Sequence, residues 1–168
     1  SGCTSNGASC ANSAGCGWWG CWKYDQVPPG AFVRDFIATV KSAGQVPMIT
    51  YYVLLPASGV NEGADEITKA NDATFMARYY ADFRFLLQQI GGEVALLHIE
   101  PDFWGYGQHV AAVPSQIPAA VASANSADCA DVPSTLAGMG RCMIAMTRKY
   151  APQTKVSLHG SAWATQFD

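Results

Sequence analysis

Charge is scarce in this chain. Asp, Glu, Lys and Arg make up 14% of it, and the ten Lys and Arg residues are scattered singly, so there is no basic stripe to grip phosphate backbones or an anionic membrane. Nucleic acid and membrane surfaces are therefore excluded as expected partners. No apolar stretch is long enough to span a bilayer, and neither an initial Met nor a signal peptide precedes Ser1, which leads us to expect a processed secreted product or an excised piece. The cysteines include no C-x-x-C pair and no His at zinc-finger spacing, so metal binding by thiols is the weaker expectation. Cofactors are not expected.

What is present is apolar bulk and cysteine. With 49% hydrophobic residues and 11% aromatics over 168 positions, the chain can build one sizeable core. A single α/β domain over 1–168 is expected, and the low charge suits a secreted protein acting on neutral ligands. Six cysteines fall in two groups: Cys3, Cys10, Cys16 and Cys21 in the first stretch, Cys129 and Cys142 far downstream. An even, clustered count favours disulfides. Cys129 to Cys142 is the expected bridge, and for the other four, three connectivities stay open.

Positions 1–22 read as a Cys- and Trp-rich loop segment without periodicity, ending in a Gly-Trp18-Trp19-Gly-Cys21 run. Beyond it, 23–168 alternate helix and strand. Pro28-Pro29 opens a helix with Phe32, Val33, Phe36, Ile37 and Val40 as its stripe, closing at Gly44. Val46 to Leu55 reads as a buried strand. Asn71 to Ile90 carries Phe75, Met76, Tyr79, Tyr80, Phe83, Leu86, Leu87 and Ile90 at helical spacing, stopped by Gly91-Gly92. Val94 to Glu100 is the second strand, followed by a long Pro-containing loop from Asp102 to Pro133. A helix from Ser134 to Tyr150, capped by Ser134, and a strand from Lys155 to Ala162 complete the series. Near-continuous apolar strands alternating with helices predict a parallel sheet covered by helices, a partial or compact TIM-barrel-like architecture. A closed eight-stranded barrel needs about 250 residues. The chain therefore reads as about half of one, completed by a partner chain such as a second copy, or cut from a longer enzyme, or standing alone as an open α/β layer.

In such folds the ligand binds at the C-terminal edge of the strands. Here each strand ends in polar or aromatic groups: Tyr51 and Tyr52, then His98 and Glu100, then His159, Ser161 and Trp163. The second is the densest, with His98, Glu100, Asp102, Trp104 and Tyr106 crowded around Pro101. Strand alternation puts His98, Glu100 and Asp102 on one face, with neighbours about 6.5 to 7 Å apart, close enough to couple. A bland alternative is that Glu100 caps a neighbouring loop or pairs with an Arg. His98 and His159 with Glu100 would also make a two-His-one-carboxylate metal site, a weaker reading than mutual hydrogen bonding. Ser161 near His159 lacks a G-x-S-x-G elbow.

Three blocks resemble secreted barrel glycoside hydrolases, most specifically the family 6 cellulases that include cellobiohydrolase II and bacterial endoglucanases. Met48 to Pro56 is similar to the family's strand ending in Tyr-x-Leu-Pro, Leu97 to Asp102 to its Ile-Glu-Pro-Asp strand end, and Val156 to Trp163 to a strand ending in small residues and Trp. The chain departs from the pattern where the family's proton-donating Asp lies in an Arg-Asp-Cys run, which here reads Ala57-Ser58-Gly59. Against the retaining-hydrolase clan, Ile99 replaces the Asn that precedes the acid/base Glu. The resemblance implies a secreted glycoside hydrolase cleaving a neutral polysaccharide such as a β-glucan. Glu100 is the expected proton donor, its pKa raised by desolvation and by Asp102, and Asp102 the expected base or electrostatic partner. Tyr51, Tyr52, His98, Trp104, Tyr106, His159, Trp163, Trp18 and Trp19 are the expected substrate contacts. A non-catalytic carbohydrate-binding module is the alternative from another class.

Overall fold

A computed structural model describes residues 28–165. Within them the strands β1 (Met48–Tyr51), β2 (Leu96–Ile99) and β3 (Lys155–Leu158) form one parallel sheet in the order β1-β2-β3. Helices precede, link and flank them: α1 (Ala31–Ser42), α2 (Leu54–Ser58), α3 (Ala64–Lys69), α4 (Ala73–Ile90), α5 (Phe103–Val110), α6 (Ser126–Cys129) and α7 (Leu136–Tyr150). The expected α/β class with a parallel sheet is what forms.

The firmest element is α4. Asp72 caps it by accepting the Phe75 amide at 3.0 Å, and every residue of its anticipated stripe is buried. Thr135, not Ser134, caps α7 through the Gly138 amide at 3.1 Å. The stripe of α1 is divided, because Val33 and Ile37 are buried while Phe32 and Phe36 remain exposed.

The strands are shorter than the apolar runs that contain them. Leu54 and Leu55 belong to α2, not to β1, and β2 stops at Ile99, where Glu100 takes φ 46° and Asp102 φ 68°. Left-handed backbone ends a ladder, and Pro101 between them has no amide to extend it. Nor is the segment from Asp102 to Pro133 a loop: it holds α5, a 3-10 turn at Pro114–Gln116 and α6. The Gly-containing α5, too short for an unmistakable period, hid in its own sequence.

The sheet is buried on one face only, contrary to the expectation of strands buried throughout. Register places Tyr51, Ile99 and Leu158 in one row and Thr50, His98 and Ser157 in the next. On the first face Tyr51 packs edge-on to Tyr79 and against Phe83 of α4, and the side chain of Leu158 lies beside Gly140 of α7. Helices α1 and α7 both pack on α4, so all three cover this face. The opposite face carries Met48 and Leu96, 54% and 42% exposed. Cys129 and Cys142 are bridged, joining α6 to α7, as expected. Cys3, Cys10, Cys16, Cys21, Trp18 and Trp19 lie outside the described residues.

Candidate functional site

Glu100 sits where β2 ends, wholly buried. Its Oε1 accepts the backbone amides of Val53 and Leu54, each at 3.1 Å, and the Tyr79 hydroxyl at 2.9 Å. The carboxyl thus caps α2 at its N-terminus, satisfying amides that the helix itself cannot. Its Oε2 has no hydrogen-bond partner among the described residues. Burial drives the Glu100 pKa up to about 8, against the stabilising amide of Val53, the Tyr79 hydroxyl and the amide of Leu54, with Glu66 adding to the rise. Glu100 therefore carries its proton at neutral pH. The anionic neighbour is Glu66, not Asp102 as the sequence led us to expect.

Nothing in the sequence singles out Glu66. It lies on α3, is 1% exposed, and has its pKa pushed up to about 7 by burial, opposed by the Gly63 amide and reinforced by Glu62 and Asp102. A six-residue helix offers too little periodicity to announce which side is buried; the adjacent Ile67, also buried, was the only signal. In sequence Tyr79 falls on an apolar stripe, although a buried phenol needs a polar partner and so points to one.

Asp102 belongs to a second, more open group. Its Oδ1 accepts the Ser161 hydroxyl and the Trp163 indole N–H, each at 3.0 Å, and lies 3.9 Å from His159 Nε2. His159 Nδ1 is 2.8 Å from His98 Nε2, and His98 Nδ1 is 3.5 Å from the Thr50 hydroxyl. One nitrogen of the His98–His159 contact must donate and the other accept, so the two rings cannot both be imidazolium while it lasts. Burial and His159 hold the His98 pKa below its ordinary value, with Asp102 working against them. The common face expected for His98, Glu100 and Asp102 is not realised. His98 and Asp102 meet through His159, while Glu100 turns to α2 and α4, because the backbone leaves the strand conformation after Ile99.

The aromatics divide as well. Tyr51 is core: its hydroxyl donates to the Tyr79 carbonyl at 3.2 Å and to Asp82 Oδ2 at 2.9 Å. Trp104 also serves packing, with its indole N–H on the Ile99 carbonyl at 2.9 Å and its ring against Phe103. Tyr51, 3% exposed, has no face open to a ligand, whereas Trp104 is half-buried. Tyr106, His109 and Trp163 instead form an aromatic cluster, with Tyr106 and His109 centroids 4.8 and 5.0 Å from that of Trp163. Gly105 admits that indole, since a Cβ there would stand 3.0 Å from it. Tyr52, half-buried, is ringed by carboxyls: burial, then Glu62, Glu66, Glu100 and Asp102, push its pKa up to about 12.

Among the described residues no group of three or more His, Cys, Asp or Glu is arranged to hold a metal ion, and no helix is long and apolar enough to cross a membrane. Comparison with protein-family models, curated proteins and solved structures finds no match to this chain.

Proposed function

We propose that the C-terminal edge of the sheet is a carbohydrate site and that the chain is a secreted glycoside hydrolase acting on a neutral β-glucan. One observation carries this reading: Glu100 ends β2 wholly buried, and that burial pushes its pKa up to about 8, favouring the protonated state a general acid needs at a leaving glycosidic oxygen. Asp102, on the open side of the same strand end, is the base or electrostatic partner. Tyr106 and Trp163 offer ring faces to pyranose, and His98, His159 and Tyr52 offer hydrogen bonds to sugar hydroxyls. A buried disulfide supports an oxidising, extracellular setting.

The architecture behind this reading is a partial barrel. Sequential strand order with helices on one face and an uncovered opposite face is what part of a TIM barrel would present. A second copy, or a longer enzyme of which this chain is a piece, would close it. A second reading has its own support: Glu100 is fully buried and caps α2, which suits a carbohydrate-binding module whose acid is structural.

Reducing-sugar release from neutral β-glucans, mannan and xylan, measured beside affinity electrophoresis on the same polymers, separates the readings. Release that Glu100→Gln abolishes while binding persists supports the hydrolase. Binding without release from either protein supports the module, and neither binding nor release overturns both.

A further inference from the structure

The acid reading of Glu100 leaves a second buried glutamate unused. Glu66 is 1% exposed and its Oε1 has no hydrogen-bond partner among the described residues, which is also true of Glu100 Oε2. The two come from different elements, α3 and the end of β2, and α3 packs against α5, the helix that Asp102 opens. Helix α3 also packs against α2, whose opening amides Glu100 caps, and in that neighbourhood the charge on Glu66 bears on Glu100 and both bear on Tyr52.

We propose that Glu66 and Glu100 work as one carboxyl pair, with Glu66 the positioning residue that governs the protonation of Glu100. The proposal rests on the reading of Glu100 as an acid. Two carboxyls in a desolvated setting cannot both ionise cheaply, so the first to lose its proton makes the second hold on, and the two titration steps belong to the pair. The groups that face them among the described residues include no cation to relieve this. Glu100 is faced by Tyr51 and Tyr52 at the end of β1, by Tyr79 from α4, by the amides opening α2 and by Glu66. Glu66 is faced by the Gly63 amide, Glu62, Asp102, Tyr52 and Tyr106. Lys69, on the same helix as Glu66, is engaged with Asp72 at 2.8 Å. Charge on Glu66 therefore reaches Glu100 undiminished by an ion pair.

Glu62, Glu66, Glu93 and Glu100 are the only glutamates of the chain, so carbon-13 labelling of glutamate gives four side-chain carboxyl resonances to follow from pH 4 to 10. The chain is titrated as wild type, Glu66→Gln and Glu100→Gln, with Glu93→Gln as an exposed control. The expected result is one-sided, because Glu66 is the first of the two to ionise. Glu66→Gln lowers the Glu100 midpoint by on the order of half a pH unit or more, while Glu100→Gln leaves Glu66 close to its own midpoint and Glu93→Gln moves neither. An unmoved Glu100 midpoint in a Glu66→Gln variant that keeps the wild-type amide spectrum overturns the pair. Should Glu66→Gln fail to fold, the wild type decides: the Glu100 resonance must bend at the Glu66 midpoint, and a curve without that bend overturns the pair. If sugar release is observed, Glu66→Gln should also move the basic limb of its pH profile to lower pH; release with an unmoved limb overturns the pair and leaves the hydrolase standing. A lowered Glu100 midpoint without any release upholds the pair and overturns the hydrolase.

Discussion

Glu100 holds a position that its neighbours in sequence prepared. An apolar strand carries it into the core, Pro101 ends the pairing, and both flanking residues of that proline adopt left-handed backbone, a strain of about 1–3 kcal/mol per residue that the surrounding contacts must offset. Its raised pKa has a consequence for stability. The folded protein keeps a proton that the unfolded chain surrenders near the ordinary value of 4.5, so stability falls as pH climbs from there to about 8. Glu66 adds a loss of the same sign, complete near pH 7. Urea unfolding at pH 5 and pH 8.5 should find the wild type weaker at the higher pH by a few kcal/mol, since each tenfold gain in proton affinity on folding is worth on the order of 1.4 kcal/mol. Glu100→Gln should flatten most of that slope. Asp102 is a different case. It joins Ser161 and Trp163 to the strand end, so Asp102→Ala should cost about 1–3 kcal/mol and move the Trp163 indole N–H resonance. Both acids were legible in the sequence, standing out from the apolar run before them. Their partners were not, because Tyr79, Val53, Leu54 and Ser161 reach them from distant parts of the chain.

Elements were legible or hidden according to length. Eighteen residues of α4 repeat their apolar spacing enough times to be unmistakable, whereas α2, α3 and α5 are of five, six and eight residues and each complete barely one or two turns. Short helices depend on what they touch. Gly107 of α5 shows this, since a Cβ there would stand 2.4 Å from Leu136 Cδ2 and push that side chain aside. The start of α7 is tighter still: a Cβ on Gly138 would lie 1.8 Å from the Pro133 carbonyl oxygen, a backbone atom with no rotamer to escape into. Gly138→Ala should therefore destabilise by about 2–3 kcal/mol, read from the urea midpoint. Further along α7 the bridge to Cys129 closes a loop of sequence separation 13. Beside it Asp128 gathers Arg84, Lys149 and Tyr150; burial would raise its pKa, but those three partners hold it down at about 2. Replacing both Cys129 and Cys142 with Ala should cost about 3 kcal/mol, the scale expected for a loop of this size, with the Asp128 contacts retained.

At the scale of the molecule the asymmetry of the sheet is the dominant fact. One face is covered by α1, α4 and α7 except at its edge, where Leu158 is 38% exposed, and the other leaves Met48 and Leu96 exposed beside Val46 and Val94, which are 55% and 54% exposed. An apolar surface rimmed by Thr50, His98, Lys155 and Ser157 favours association. In sedimentation velocity the chain should become heavier with increasing concentration, and Leu96→Lys should return it to the monomer. A wild type that stays monomeric at every concentration would sink this expectation. Strand alternation in sequence did not disclose the open face, because Met48 and Leu96 are as apolar as any core residue.

From its residues alone this chain determined a parallel α/β layer, the place of its longest helices, the Cys129–Cys142 pair and the strand end at which acidic and aromatic groups accumulate. Those are local properties, set by periodicity, proline, glycine and the pairing needs of backbone amides. Tertiary structure alone decided that His98 and Glu100 part company, that Glu66 and not Asp102 is the carboxyl whose charge bears on Glu100, and that Tyr51 packs into the core instead of facing a ligand. Each of these depends on which distant segment supplies the neighbouring atom, and burial, which sets the protonation of both glutamates, exists only once those segments have met.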